Sequence, residues 1–225
     1  MAGCRRRGGG IFMALFGLLF VTLGIGLGIF GSRAAIEAAD RAERLPLATA
    51  RVIERGAAGG EVVVEGRIST RNPQRFREFV AYVREEYRGT DSDGDPKWHE
   101  DERVTPPLVL ELPDGLVQIE NDNYRLESPP LRWQDSTSLS WNGLTGEGTR
   151  RYSGFAAGAT VMAIGPIVQG REGPALQAEF LSSGDRAAYV AQQRSSAAAF
   201  PIVGLIFGGI GALFALVGLW QVLRG

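Results

Sequence analysis

The sequence predicts a membrane protein of the α+β class, in which two transmembrane helices flank one β-rich soluble domain. Two apolar stretches carry this prediction: residues 11–30, interrupted only by Thr22, and residues 197–223, which contain no charged side chain. At about 1.5 Å per residue, a helix of either length covers a hydrocarbon core of roughly 30 Å. The predicted segments are a cytoplasmic start (1–10), the first span (11–30), the β-rich domain (31–196), the second span (197–223) and the end (224–225).

The first apolar stretch follows a run of arginines at residues 5–7. It is longer than the roughly 7–15 apolar residues of a cleaved signal peptide, so we expect it to be retained, with cleavage after Ser32-x-Ala34 as the alternative. By the positive-inside rule these arginines, and more weakly Arg224, place both termini in the cytoplasm and the domain outside it. The excess of arginine over lysine, with much alanine and glycine, favours a bacterial inner membrane.

Both predicted spans carry glycines four residues apart, a spacing that lets helix backbones approach closely. We expect the two spans to pack on each other or to mediate a homo-oligomer. The alternative is that glycine is simply common in membrane helices. The glycines concerned are Gly24 and Gly28 in the first span and Gly204 and Gly208 in the second.

Strand patterns fill the region between the spans. Residues 61–68 alternate between apolar and charged side chains, and Gly66 interrupts them as at a bulge or bend. Residues 108–120 alternate on both sides of an Asp114-Gly115 turn, which predicts a β-hairpin. Strands near residues 159–168 and 175–181 close the domain, and residues 161–167 resemble residues 62–68. Strands bent at glycine predict a small curved sheet or partial barrel.

Three further segments complete the domain. Residues 76–87 fit a helix by spacing, yet 79–83 are aromatic and β-branched like a strand, so periodicity alone leaves both open. Residues 134–149 are polar and contain glycine, which predicts a long loop. Ser182-x-x-Asp185 resembles a capping box, so residues 182–196 are predicted to form a short helix that leads into the second span.

Composition excludes several classes of function. The net charge is -1, and the sequence has no basic cluster outside residues 5–7, so it gives no indication of nucleic-acid binding. Cys4 is the only cysteine, His99 the only histidine and Lys97 the only lysine. A serine–histidine or serine–lysine site would therefore depend on the acidic segment around residues 91–102, and no glycine-rich phosphate loop is present. We expect no cofactor and no catalytic residue.

The acidic segment 91–102 partly fits a calcium-loop template. Pro96 replaces the glycine that makes the sharp turn of that template, and the flanking residues do not form paired helices. A solvated, mobile acidic loop between strands is the preferred interpretation, with calcium binding as the alternative. The carboxylates that match the template are Asp91, Asp93, Asp95 and Glu102.

Several short motifs occur between the predicted spans in a fixed order. They are the Val-x-Gly-x-Ile motif at 64–68, the aromatic motif at 79–87, Trp98, the hairpin at 108–120, the motif at 158–165, Phe-Leu-Ser-Ser at 180–183 and a Gln-Arg segment at 192–196. This order resembles the GIDE-domain family, best known from a mitochondrial ubiquitin ligase that carries such a domain between two membrane helices. The resemblance covers nearly the whole chain and implies a strand at 79–87.

Ligase members of that family carry a RING domain after the second span. A RING domain holds zinc through cysteine and histidine ligands, and this chain contains only Cys4 and His99. We therefore expect no ubiquitin-ligase activity from it. The expected function is that of an interaction or sensing module at a lipid bilayer, with a protein partner bound at sheet edges or at the loop 134–149. The alternative is an enzyme or metal-dependent protein built on the acidic segment 91–102.

Overall fold

The computed structural model describes residues 2–56 and 59–224, with side chains from residue 9 onward. It separates into two compact units. One combines Met1–Arg41 with Val190–Gly225 and contains the long apolar helices, and the other is Ala42–Tyr189 and contains the strands. The prediction of two long apolar helices flanking a β-rich domain is confirmed.

The amino-terminal helix is α1 (Ala2–Gly26), which continues through a π-helical turn (Leu27–Gly31) into α2 (Ser32–Arg44). A short helix, α3 (Ala50–Glu54), follows, and α4 (Arg186–Arg224) ends the described chain. The helix predicted at residues 182–196 therefore begins too early. Ser182 lies in a strand, and Asp185 Oδ1 instead accepts the backbone N–H of Ala188 at 2.8 Å as the helix begins.

Glycines define the contact between the two apolar helices. A Cβ atom built on Gly24 would lie 2.6 Å from the carbonyl oxygen of Gly204 and 2.8 Å from the amide nitrogen of Gly208. A Cβ atom built on Gly28 would lie 3.9 Å from the Cα of Gly204. The structure thus brings the four predicted glycines together between helices of one chain. A heptad series that the sequence analysis missed extends this contact: Gly10, Gly17 and Gly24 face Gly218, Gly211 and Gly204, so the helices are antiparallel.

The second unit is built from strands and α3. Its strands within the described residues are β1 (Glu61–Ile68), β2 (Phe79–Thr90), β3 (Pro96–Val104), β4 (Leu108–Leu112), β5 (Gly115–Ile119), β6 (Arg125–Glu127), β7 (Leu131–Gln134), β8 (Arg150–Ala156), β9 (Thr160–Gln169), β10 (Pro174–Leu176) and β11 (Phe180–Ser183). The predicted hairpin is confirmed as β4 and β5, and the strand that the resemblance implied at 79–87 is confirmed as β2.

Five of the described strands close into a barrel in the order β1-β4-β5-β10-β9, with β9 returning to β1. If the five barrel strands are numbered 1 to 5 along the chain, their order around the barrel is 1-2-3-5-4-1. The third (β5) and the fifth (β10) are parallel, with Ile119 opposite Leu176. This order and direction are those of the OB-fold barrel. The fold alone defines no function.

The pairing of β1 with β9 explains the repeated motif in the sequence. The two similar segments lie antiparallel, with Glu61 opposite Pro166 and Gly66 opposite Val161. Val62 and Val64 point into the barrel core, while Val63 is equally buried on the other face. Gly165 has no room for a side chain, because a Cβ there would overlap the carbonyl oxygen of Gln177.

A second sheet has the order β3-β2-β8-β7 in the part of the chain that is described. Both of its halves are insertions in the barrel: β2 and β3 lie between the first and second barrel strands, and β7 and β8 between the third and fourth. The prediction of a mobile acidic loop at 91–102 is wrong beyond residue 95. Pro96 begins β3, and Lys97 and His99 lie on that strand.

The helix contact predicts a sharp difference between two glycines of α1. Gly24→Leu should force α1 and α4 apart, because overpacking a close contact costs about 1–3 kcal/mol. Gly26→Leu adds the same side chain where a Cβ meets nothing within 4 Å. The measurement is crosslinking of Phe16→Cys to Phe214→Cys, whose native rings lie 6.1 Å apart, by a short bifunctional maleimide in a Cys4→Ser background. The yield should fall several-fold only with Gly24→Leu. An equal yield in both variants would contradict the contact.

Candidate interaction site

Aromatic side chains cluster on one face of the second sheet. Trp133 on β7 lies directly opposite Tyr152 on β8, with ring centroids 5.3 Å apart. Phe76, from the segment before β2, stacks on Tyr152 at 4.3 Å and meets Trp133 edge-on at 5.5 Å. Tyr82 completes the cluster, and burial raises the pKa of its hydroxyl. Gly154 makes room for the cluster, since a Cβ there would lie 2.7 Å from a Phe79 ring carbon.

An arginine in an unusual backbone conformation covers this cluster. Arg77 has φ 49°, in the left-handed region that non-glycine residues rarely adopt. Its guanidinium lies 3.9 Å from the ring centroid of Trp133, within range of a cation–π interaction. The backbone strain thus coincides with an exposed cation placed on a half-buried tryptophan, and such strain often accompanies a functional position.

A buried carboxylate attaches the loop that follows β7. Glu86 is 2% exposed and accepts the backbone N–H of Gly148 at 3.0 Å. It also pairs with Arg88 at 2.6 Å and lies 3.6 Å from Arg150. The guanidinium of Arg88 in turn covers the ring of Trp141 at 4.2 Å. The segment predicted as a loop at 134–149 is therefore irregular but fixed to the sheet.

The tip of that loop presents apolar side chains to solvent. Leu144 sits in a short 3₁₀ turn (Gly143–Thr145), and its side chain is fully exposed. Gly143 and Gly146 have φ of +61° and +88°, so glycine supports the tight turn on both sides of it. Leu139 is also exposed. Loops that are held on a rigid sheet commonly carry binding residues, so this loop tip is a candidate contact position.

The opposite face of the second sheet carries a polar groove of about 300 Å³ beside β7. Its floor is a two-point ion pair in which Arg151 donates to both oxygens of Glu85, at 2.6 and 3.0 Å. Arg132 and Gln134 form the side of the groove on β7. The guanidinium of Arg151 also stacks over Trp98 at 4.2 Å.

The acidic residues that match a calcium loop are not brought together. Asp91 Oδ1 accepts the backbone N–H groups of Asp93 and Asp95, both at 2.9 Å, in the turn between β2 and β3. These bonds lower the pKa of Asp91. Glu102 lies along β3 and pairs with Arg84 at 2.7 Å, about 20 Å from the turn at roughly 3.3 Å per residue. Within the described residues, no group of three or more side chains could hold a metal ion.

A larger concavity, of about 610 Å³, lies where β1 and β4 separate, but its acidic groups already have structural roles. Asp114 accepts the backbone N–H of Ala50 at 3.0 Å, which lowers its pKa and begins α3. Glu65 accepts the backbone N–H of Arg186 at 2.9 Å. These contacts position the helix starts, so the second sheet provides the better candidate for recognition.

Sequence reasoning missed the aromatic cluster and the Glu86 network. One signal was present: the acidic pair Glu85-Glu86 and the basic pair Arg150-Arg151 are complementary, and the structure sets them opposite each other on β2 and β8. Comparison of the chain with protein-family models, with curated proteins and with solved structures finds no match.

The Glu86 network predicts a local effect on the loop. Glu86→Ala should destabilise the domain by about 2 kcal/mol, because it removes the buried acceptor of the Arg88 guanidinium and of the Gly148 N–H, although Arg88 is partly solvated. Glu100→Ala removes an exposed ion pair with Arg103 and should cost under about 0.5 kcal/mol. Hydrogen exchange of amides 140–149 should accelerate only in the first variant. Equal exchange in both would exclude this role of Glu86.

Proposed function

We propose that this chain is an integral membrane protein with two spans, whose β-rich domain binds a protein partner and has no catalytic activity of its own. The observation that carries the proposal is the surface of the second sheet, where exposed arginines lie on half-buried tryptophans beside a fixed loop with a fully exposed leucine. Aromatic residues and arginine are the types most enriched at protein–protein contacts.

Two features support the membrane part of the proposal. The helical segments Gly9–Arg44 and Arg186–Arg224 are 36 and 39 residues long, and only 17% and 11% of their most apolar windows are buried within the protein. Large side chains such as Phe30 and Leu205 therefore face outward along these helices, where lipid would cover them. The arginine distribution favours both termini in the cytoplasm and the domain outside it, and the composition favours a bacterial inner membrane.

The resemblance to the GIDE-domain family supports the same assignment. The arrangement that it implies, a β-rich domain between two apolar helices, agrees with the described elements. Within that assignment we propose a GIDE-like interaction module in which residues 1–225 by themselves provide no RING-type zinc site, because they contain only Cys4 and His99 as ligands of that type. On the second sheet, Glu86 pairs with Arg88 and Glu85 pairs with Arg151. Carboxylates that are held in ion pairs suit recognition better than proton transfer.

The membrane assignment is tested in intact cells of a bacterial expression host. Thr137→Cys in a Cys4→Ser background should react with an impermeant maleimide added outside the inner membrane. Native Cys4 should react only after permeabilisation, and the chain should stay in the pellet after alkaline carbonate washing. Labelling of Cys4 from outside would reverse the orientation. Release by carbonate would exclude the two spans.

The binding assignment is tested separately with a photoreactive amino acid at residue 144. This variant should form a discrete adduct in native membranes that the same group at Arg103 does not form, because Arg103 lies on β3 and is paired with Glu100. Identical adduct patterns at both positions, or none at 144, would contradict an interaction surface at the loop tip.

A further inference from the structure

The two edges of the second sheet differ in how they meet solvent. At one edge, β3 exposes charges of both signs along its length: Lys97, Glu100 and Arg103 are all exposed. Such charges are a common means of preventing a further strand from pairing. At the other edge, β7 carries Arg132 as its only charged residue, and the edge is not covered by any described strand. The β3 edge is protected, and the β7 edge is open.

The hydrogen bonds of β7 show which of its backbone groups face outward. The N–H of Asp135 donates to the carbonyl of Arg150 at 3.0 Å, so residues 131, 133 and 135 turn toward β8. Arg132 and Gln134 must then direct their N–H and C=O groups away from the sheet, and both residues are exposed. None of the described backbone hydrogen bonds outside the ladders involves either residue. These groups form a template for one more strand.

The side chains beside this edge determine which strand would fit. A strand added to β7 alternates its side chains between the two faces of the sheet. On the groove face it meets Arg132, for which the described residues provide no ion pair, while Glu85 is neutralised by Arg151. On the other face it meets Trp133 under the Arg77 guanidinium. Acidic side chains suit the first face, and aliphatic or aromatic side chains suit the second.

We propose that β7 receives an extended segment of a partner protein by β-strand addition, with a carboxylate directed at Arg132 and an apolar side chain on Trp133. This inference rests on the proposed function as an interaction module and names its partner chemistry. Pro129 and Pro130 precede β7, and Pro130 has no N–H, so the added strand covers Leu131–Gln134 and little more.

The test uses the full chain in nanodiscs and three synthetic peptides. The first is acetyl-Thr-Val-Asp-Val-Glu-Val-Thr-amide, which alternates acidic and apolar residues. The second replaces its Asp and Glu by Lys, and the third keeps the acidic side chains on an N-methylated backbone. The first should bind and slow hydrogen exchange at the amides of Arg132 and Gln134. The second should bind at least tenfold more weakly, and the third should not bind.

Matched variants at the two edges separate this site from general charge effects. Arg132→Glu should reverse the preference, so that the lysine peptide binds better than the acidic one. Arg103→Glu makes the same charge change on β3 and should leave the preference unaltered. Because residue 132 is exposed, the fold should tolerate the change, and Arg132→Gln provides a milder version that should bind both peptides about equally.

Several results would overturn the inference: equal binding of the acidic and lysine peptides, binding of the N-methylated peptide, protection away from β7, or no binding up to millimolar peptide. A doubled protein mass in detergent solution that the Arg132→Glu variant does not show would assign the β7 edge to a second copy of this chain. That result would also overturn the inference. If the peptides fail while the photoreactive residue 144 still forms its adduct, the interaction module stands without strand addition. If both fail, the proposed function fails with it.

Discussion

The antiparallel pairing of β1 with β9 is the constraint on which the rest of the β-rich unit depends. Backbone groups removed from water must be paired, and this contact joins the two ends of what would otherwise be an open sheet. Strand β9 also pairs with β10 and β11 along its other edge, so it is saturated on both sides. The requirement for glycine follows, since at Gly165 the crossing chain leaves no space for a side chain. With the barrel closed, the two long insertions are brought side by side and can form the second sheet.

The sequence predicted strands well where one face of the strand is apolar and buried. It predicted them poorly where the strand is charged or where its contacts lie far away in sequence. The β4–β5 hairpin has one apolar face and a short turn, so its alternation of apolar and polar residues predicted it correctly. Strands β3 and β8 were missed, because β3 is an exposed edge and β8 carries Arg150 and Arg151, whose acidic partners lie far away in sequence. The start of α4 was misplaced, because Ser182 obeys a capping pattern while its backbone belongs to the β9–β11 ladder. Ladder pairing outweighed the local cap preference.

The candidate site follows the same logic. The sequence patterns did not single out Trp133, and Phe76 was only part of the ambiguous stretch 76–87. Their contact depends on β7 pairing with β8, and on β8 pairing with β2, none of which local spacing encodes. The helix contact was more accessible. Glycines at 24, 28, 204 and 208 were visible as short motifs, whereas the seven-residue series that extends them needs a comparison along the whole helix.

The division between barrel and insertions explains why recognition is better assigned to the second sheet than to the barrel. Barrel closure uses the edges of its strands for pairing, and Asp114 and Glu65, which line the concavity beside β1 and β4, already accept hydrogen bonds from helix starts. The strands of the two insertions take no part in barrel closure. They form an open sheet whose two edges must each meet water or another strand, and one of these edges carries charges that discourage pairing while the other does not. An open edge flanked by a half-buried tryptophan and an exposed arginine is hard to explain as a stabilising feature, because backbone groups left to water contribute nothing to folding. It is readily explained as a surface on which another chain completes the ladder.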